Sequence, residues 1–202
     1  MLDILEFIAV VAAGTYGILH ARAKRMDLIG VFTIAFLTVL SGGTLRDLIL
    51  DRDPIFWVQH QEYAITVFVM VLLASFIKKF PPKLERALYI HDAVGLALFT
   101  ILGADYALQA GAPLFAADII SVVNGAFGGV IADIMRAEIP NLFVGGPLYA
   151  TCAFLGVWIY FGLLQLLADS NVPYFAALIF IIVLRLSAVR WGIRLKGFDS
   201  LT

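Results

Sequence analysis

Paired glycines followed by an acidic residue occur twice in the chain. The stretch GGTLRDLIL occupies positions 42–50 and GGVIADIMR occupies positions 128–136, so that Asp47 and Asp133 follow their glycines at the same distance. Arg46 stands directly before the first aspartate. Carboxylate and guanidinium groups in apolar membrane segments are costly to bury and usually face a partner or a water-filled cavity. The two stretches are therefore candidates for a polar pathway.

The composition is that of a membrane protein. Of 202 residues, 62% are hydrophobic and 14% are charged, against about 45–50% and about 25% in soluble domains. A membrane-spanning helix needs about 20 mostly apolar residues. The sequence therefore predicts an all-α membrane protein, a single domain over residues 1–202, with seven transmembrane helices. They are predicted at about 2–20, 27–50, 62–80, 88–109, 114–136, 146–168 and 172–194.

The distribution of basic residues predicts the orientation in the membrane. They concentrate in the odd-numbered connections and after the last helix: Arg22, Lys24, Arg25, Lys78, Lys79, Lys83, Arg86, Arg136, Arg190, Arg194 and Lys196. Cytoplasmic loops carry an excess of Lys and Arg, so the N-terminus is predicted outside and the C-terminus in the cytoplasm. The near balance of 14 basic and 15 acidic residues predicts no nucleic-acid partner.

The chain contains an internal repeat. A shift of 86 positions carries the first glycine–aspartate stretch onto the second, and it also superimposes Gly17 on Gly103, Pro54 on Pro140 and Glu6 on Asp92. Two three-helix units follow, at about 4–80 and 90–166, with a seventh helix at about 172–194. Because each unit has three spans, the second enters the membrane from the opposite side. The sequence thus predicts two inverted repeats, an arrangement that transporters build around a central pathway.

The glycine pairs have two interpretations. Glycines in predicted helices 2 and 5 permit a kink or an unwound segment, which belongs beside protein or a water-filled cavity. Small residues also let two helices pack closely. Ser41 and Asn124 are further candidates for lining a polar path. Arg46 is predicted to pair with Asp133 across the repeats, or with nearby backbone and water, unless both groups extend to the membrane interface.

Other polar residues carry weaker predictions. Asp105 and Asp118 lie near the predicted outer side, where they attract cations or are solvated at the interface. Arg185 is predicted to form an ion pair or to contact a lipid head group. Cys152 is interpreted as a packing residue. The histidines lack metal-site spacing, and no enzyme motif is present, so we expect no catalytic residue, metal or cofactor.

The motifs together resemble those of a known family. They are SGGTLRD at 41–47 with Pro54, NGAFGGVIAD at 124–133 with Pro140, HDAVGLALFTILGA at 91–104, PLYA at 147–150 and LRLSAVRW at 184–191. The sequence resembles the prokaryotic trimeric intracellular cation (TRIC) channels, overlapping the bacterial proteins described as glycine-transporter-like or UPF0126. The resemblance implies a homotrimer in the lipids of the prokaryotic inner membrane. It also implies a potassium-permeable pore in each protomer, with Na⁺ as a second candidate ion.

The resemblance also assigns pore residues. It implies kinks in helices 2 and 5 at the two glycine pairs, with charged residues beside the conduction path. The positions concerned are Gly42, Gly43, Arg46, Asp47, Gly128, Gly129 and Asp133. Ala132 departs from the family pattern, which usually has Arg there, and the sequence leaves open whether the change is natural or engineered. Loss of that cation would lower the barrier to K⁺ or leave Asp133 without a partner.

Two other functions fit the same features. The first is a secondary transporter of glycine or another small zwitterion, which would use the inverted repeat for alternating access. The second is a structural or lipid-binding assembly subunit, which would conduct no solute. The mirrored charged motifs favour a conduit over the latter.

Overall fold

Helices form all the secondary structure in the computed structural model, which describes residues 2–77, 84–140, 142–144, 146–167 and 171–195. Their bounds are α1 Leu2–Ala23, α2 Leu28–Ile49, α3 Phe56–Gln59, α4 Glu62–Phe76, α5 Leu84–Gln109, α6 Leu114–Met135, α7 Ala150–Leu166 and α8 Val172–Trp191. The predicted all-α class is confirmed. The predicted helices correspond to α1, α2 and α4 to α8, and α3 is a single turn that the sequence did not predict.

The helices differ in their ability to cross a membrane. Helices α1, α2, α5, α6 and α8 are long and apolar enough to span it, whereas α4 and α7 are shorter apolar helices of 15 and 17 residues. At about 1.5 Å per residue, α4 is shorter than a hydrocarbon layer of roughly 30 Å. The predicted end of the third span, at 78–80, lies outside the described residues. The count of seven spans therefore stays a prediction.

The sixth predicted span starts too early, and the error has a physical cause. The span predicted at 146–168 begins as helix only at Ala150. The carbonyls of Pro147 and Leu148 instead accept hydrogen bonds from the Arg185 side chain, at 3.2 and 2.9 Å. A side chain from α8 thus satisfies backbone groups that a longer α7 would have used within the helix.

The internal repeat is visible in the backbone. Helices α2 and α6 each contain 22 residues, and their first residues lie 86 positions apart. Leu50 and Arg136 follow them with nearly the same angles, φ −89° and ψ 5° against φ −91° and ψ 6°. The next residues, Asp51 and Ala137, both have positive φ, 52° and 56°, which is uncommon for residues other than glycine. The two segments therefore end in the same turn.

The two equivalent helices cross at their glycines. A Cβ at Gly42 would overlap the carbonyl oxygen of Asn124, and a Cβ at Gly128 would overlap that of Thr38. Thr38 and Asn124 are themselves 86 positions apart, so the two contacts exchange under the repeat. Position numbers rise along α2 as those of their partners fall along α6. The helices therefore run antiparallel where they cross.

Both helices continue through their glycine pairs without a break. The unwound segment considered for these positions is therefore wrong, and close helix packing, the second interpretation, is confirmed. The physical reason is that the first glycine of each pair, Gly42 or Gly128, meets backbone of the opposing helix, so its missing side chain allows the two helices to approach closely. The kinks themselves stay a prediction.

Similar close contacts join the helices within each unit. Gly17 on α1 packs against α2, where a Cβ at this position would lie 2.8 Å from Ala35 Cα and 2.9 Å from Thr38 Oγ1. Gly103 on α5 packs against the equivalent residues of α6, Ser121 and Asn124. Helices α1, α2, α5 and α6 thus form the packed centre of the molecule. Helices α4, α7 and α8 pack around it.

We expect Gly128→Ala to lower the free energy of unfolding by about 1–3 kcal/mol, because the added methyl group overlaps backbone. Gly162→Ala is the matched control: a Cβ at this helical glycine has no neighbour within 4 Å, and alanine favours a helix over glycine. Thermal unfolding in detergent measures both. Equal melting temperatures for the two variants would contradict the close contact.

Candidate functional site

Asp47, near the C-terminal end of α2, is paired with two arginines and one backbone amide. Asp47 Oδ1 accepts a hydrogen bond from Arg46 Nε at 2.8 Å, and Arg46 Nη2 lies 2.8 Å from the same oxygen. Arg52 Nη1 is 3.4 Å from that oxygen, and the Phe56 amide donates to Oδ2 at 2.7 Å. Arg46 and Asp47 are both fully buried. We call Glu6, Arg46, Asp47 and Arg52 the first charged cluster.

Aromatic rings enclose the buried guanidinium of Arg46. Its Cζ lies 4.1 Å from the centre of the Tyr106 ring and 5.2 Å from that of Phe56. A cation over a ring face is stabilised by about 0.5–2 kcal/mol, more when water is excluded. Glu6 is nearby and accepts hydrogen bonds from Tyr63 at 3.1 Å and Tyr106 at 3.4 Å. The guanidinium is thus fixed within protein, and its predicted extension to the membrane interface is wrong.

Asp133, near the C-terminal end of α6, has different partners. Asp133 pairs with Arg136, three residues along the chain. Arg136 Nε also donates to Glu138 Oε2 at 3.1 Å, and Glu138 Oε1 lies 2.5 Å from Lys24 Nζ. The hydrogen bond from Lys24 and the contact with Arg136 lower the pKa of Glu138 from its ordinary value. Lys24, Asp133, Arg136 and Glu138 form the second charged cluster.

The predicted ion pair between Arg46 and Asp133 is therefore wrong. Each group pairs locally, because α2 and α6 are antiparallel and their C-terminal ends lie at opposite ends of the bundle. Sequence reasoning also missed Arg136 as the partner of Asp133. The signal was present, since residues three apart on a helix face each other.

A further ion pair, between Arg185 and Asp92, attaches α8 to the second repeat. Arg185 donates to Asp92 Oδ2 from Nε at 3.2 Å and from Nη2 at 3.0 Å. The Tyr149 hydroxyl donates to Asp92 Oδ1 at 3.1 Å. Of the two roles predicted for Arg185, the ion pair is confirmed, and the head-group contact is wrong because the residue is buried.

Comparison of the two halves shows where they differ. The Tyr63–Glu6 and Tyr149–Asp92 hydrogen bonds are both 3.1 Å long and are equivalent under the 86-residue shift. In the first half the cation beside Glu6 is Arg46. The residue equivalent to Arg46 in the second half is Ala132, which is fully buried.

Arg185, from outside the repeats, provides the cation for Asp92 instead. Asp133 is paired as well, so the expectation that Ala132 leaves it without a partner is wrong.

A polar cavity lies beside the second charged cluster. Its volume is about 220 Å³. Its polar lining consists of Tyr16, His20, Tyr89, Asp92, Asp133, Tyr149 and Arg185. Gly129 contributes bare backbone to the wall. The cavity thus places two carboxylates and several hydroxyl groups in a space larger than one water molecule.

A second, smaller cavity adjoins this one on the side of the α2–α6 crossing. The two share Tyr16, Asp92, Gly129 and Tyr149, and the smaller has a volume of about 20 Å³. Its inner wall consists of Thr38, Asn124, Gly125 and Gly128. A space of this size holds about one water molecule. The polar space therefore narrows where α2 and α6 cross.

The predicted site residues divide between these features. Asn124, Gly128, Gly129 and Asp133 line one or both cavities. The remaining candidates line neither: Ser41, Gly42, Gly43, Arg46, Asp47 and Ala132. Gly43 faces the Phe56 ring, and the Ser41 hydroxyl donates to the Leu37 carbonyl at 2.6 Å. The sequence did not select Tyr16, His20 or Tyr149 as lining residues, although Tyr149 belongs to the PLYA motif at 147–150.

The two acids predicted at the outer side lie away from both cavities. Asp105 accepts hydrogen bonds from Tyr160 at 3.3 Å and Gln109 at 2.7 Å. Asp118 is fully buried on α6 beside Trp158, so its predicted solvation at the interface is wrong. Cys152 is buried in the apolar core, as predicted.

Contacts at one end of the bundle join connections that were predicted to lie on the same side of the membrane. Lys24 after α1 pairs with Glu138 after α6, and Arg22 donates to the Ala74 carbonyl near the end of α4 at 3.0 Å. Ile193 after α8 accepts from the Leu148 amide at 2.9 Å. Which end is cytoplasmic stays a prediction. Four of the basic residues used for the orientation, Lys78, Lys79, Lys83 and Lys196, lie outside the described residues.

The duplicated helical unit, the apolar spans and the buried polar space define a multi-pass helical membrane protein. Known proteins share both sequence and fold with it. A family model described as glycine transporter matches twice, at residues 3–79 and 89–165, and the two matches are offset by the same 86 positions.

Among curated proteins, the UPF0126 inner membrane protein YadS of Escherichia coli K12 is 31% identical over 201 residues, covering 96% of this chain and 94% of that protein. A UPF0126 membrane protein of Vibrio cholerae is 29% identical, covering 98% and 83%.

Solved structures agree with this likeness. The TRIC trimeric intracellular cation channel orthologue from Rhodobacter sphaeroides superimposes with a TM-score of 0.88 at 31% identity, covering 95% of this chain and 98% of that one. A prokaryotic TRIC channel solved in 0.5 M KCl has a TM-score of 0.87 at 28% identity, covering 96% and 98%. The chain belongs to the TRIC/UPF0126 family of bacterial membrane proteins.

We expect Asp92→Asn to destabilise the protein by about 3–5 kcal/mol, because it leaves the buried Arg185 guanidinium without its counter-charge. The double variant Asp92→Asn with Arg185→Gln should recover part of that loss. Glu62→Gln serves as the control, since its ion pair with His60 is exposed and worth less than about 1 kcal/mol.

Unfolding in detergent of the wild type, Asp92→Asn, Arg185→Gln and the double variant gives the coupling energy, with Glu62→Gln measured beside them. Additive losses at Asp92 and Arg185 would contradict a direct pair.

Proposed function

We propose that the protein is a cation channel whose pathway runs between α2 and α6. The observation that carries the proposal is the polar cavity beside the second charged cluster, which leads to the α2–α6 crossing. Two carboxylates, Asp92 and Asp133, line it. Each is balanced by an arginine, and their oxygens, with those of the tyrosine hydroxyl groups, can replace the water around a cation. The similar solved structures are described as cation channels.

The helix packing supports an inverted-topology repeat around this pathway. Gly42 meets Asn124 and Gly128 meets Thr38, so equivalent residues exchange roles across an antiparallel crossing. Such an exchange is expected when two units are related by a two-fold axis. An axis in the membrane plane relates the units of an inverted repeat and places the pathway between them.

The arrangement corresponds to a pathway open towards one end only. At the narrow point Thr38 and Asn124 leave a space of about 20 Å³. Beyond it, in the first charged cluster, the buried guanidinium of Arg46 lies between Phe56 and Tyr106. Its charge is balanced by Asp47, so the side chain obstructs the path by filling it. Conduction therefore requires α2 and α6 to separate at their crossing and Arg46 to move.

The relatives support a proposal for the assembly and the permeant ion. A homotrimer is consistent with the trimeric description of the Rhodobacter sphaeroides structure, and YadS is described as an inner membrane protein. We propose K⁺ as the principal permeant ion, Na⁺ as a second one, and a location in the prokaryotic inner membrane. The N-terminus is then outside and the charged cavity faces the cytoplasm.

Glycine transport is a second candidate, favoured by the description of the matching family model and by a cavity that contains both acids and Arg185. Recognition of a free carboxylate would need unused guanidinium donors. Arg185 already donates to Asp92, Pro147 and Leu148, and a guanidinium has five N–H groups. Its commitment to these partners favours the channel.

Purified protein in a planar bilayer under a KCl gradient should produce unitary currents that reverse near the K⁺ equilibrium potential. The same preparation in liposomes should take up no more labelled glycine than protein-free vesicles. The reason is that a polar path, once the α2–α6 crossing has opened, carries ions without a solute-specific site. Absence of current combined with saturable glycine uptake would contradict the channel and support the transporter.

Ala132→Arg should lower the unitary K⁺ conductance by roughly fivefold, the effect of a barrier raised by about 1 kcal/mol. The new guanidinium would occupy the position equivalent to Arg46. It would face His20, which lines the cavity and is equivalent under the 86-residue shift to Tyr106, the ring beside Arg46.

Ala132→Gln, which adds a neutral side chain shorter than that of arginine, is the control for the added volume. A reduction of the same size in both variants would assign the effect to packing, and unchanged current in Ala132→Arg would contradict this electrostatic role.

A further inference from the structure

A groove separate from the ion pathway lies on the outside of the bundle between α5 and α8. Its volume is about 460 Å³. Its walls consist of Arg86, Tyr89 and Ile90 from α5 and Leu186, Val189 and Arg190 from α8. The floor is therefore apolar and the rim carries two guanidinium groups. Neither the first nor the second charged cluster contributes to it.

The position of the groove follows from the ion pair that joins the same two helices. Arg86 precedes Asp92 by six residues and Arg190 follows Arg185 by five. At 1.5 Å of rise per residue, the two arginines lie about 9 Å and about 7.5 Å beyond the ion pair, towards the same end of the bundle. This is the end that carries Lys24 and Glu138. Both cations thus lie near the ends of their spans, at one level.

The arginines of the groove are available to a ligand. Both are exposed, and no ion pair joins either of them to another described residue. Guanidinium groups bind phosphate through paired N–H donors. Basic pockets between transmembrane helices bind anionic lipid head groups. Below the arginines, Ile90 is 41% exposed and offers apolar surface at the depth of an acyl chain.

We propose that this groove binds an anionic phospholipid. The phosphate lies between Arg86 and Arg190, and an acyl chain packs on Ile90, Leu186 and Val189. Tyr89 lines both this groove and the polar cavity, so the bound lipid lies on the opposite side of one side chain from the ion pathway. The proposal does not depend on whether the protein conducts ions or transports a solute.

Native mass spectrometry of the full chain in detergent tests the proposal, with phosphatidylglycerol and phosphatidylcholine of the same acyl chains as probes. The wild type should retain phosphatidylglycerol with roughly tenfold or greater preference, since basic residues near a lipid surface attract anionic head groups. The double variant Arg86→Gln and Arg190→Gln should lose that preference. Arg25→Gln with Arg194→Gln is the control, because it removes two exposed cations outside the groove.

Three results would overturn the proposal. Equal retention of both lipids by the wild type would exclude recognition of the charged head group. The same loss in the control variant would indicate general attraction to the charged end of the protein. A changed oligomeric mass in the groove variant, without loss of lipid, would assign the groove to a contact between subunits. Because both arginines are exposed, these variants should keep the melting temperature of the wild type.

Discussion

The antiparallel crossing of α2 and α6 is the constraint on which the rest of the structure depends. At Gly42 and Gly128 the two backbones approach so closely that a Cβ would overlap a carbonyl oxygen. Helix association in a membrane relies on such close packing, because lipid is as apolar as the helix surfaces. The crossing brings Thr38 and Asn124 to the centre of the bundle. It also directs the charged ends of the two helices to opposite ends of the molecule.

The two repeats share a backbone but differ in their chemistry. Their terminal turns have the same geometry, and the Tyr63–Glu6 and Tyr149–Asp92 hydrogen bonds have the same length. In the first half a buried arginine fills the space between aromatic rings. In the second half an alanine replaces it, and a polar cavity is present. A duplicated scaffold thus becomes asymmetric through single side chains, with α8 supplying the missing cation.

Much of the fold was predictable because the signals are local. The second glycine-containing helix was predicted at 114–136 and observed at Leu114–Met135, since a long apolar run bounded by proline and a charge needs no tertiary information. The partners of the charged residues were harder to predict. The sequence-based prediction pairs Arg46 with Asp133, although an inverted repeat already implies that equivalent residues lie at opposite ends of the bundle. The pairing of Asp133 with Arg136 follows from helical spacing alone.

By itself, the sequence determined that the chain enters a membrane as helices, that it is duplicated, and that two acids occupy equivalent positions, because hydropathy and repetition are properties of the chain alone. Only the tertiary structure decided what the glycines do, since close approach and local unwinding require the same residue type. It also decided that Arg185 pairs with Asp92, 93 positions away along the chain. Such pairs depend on distances between helices, and packing at the α2–α6 crossing sets those distances.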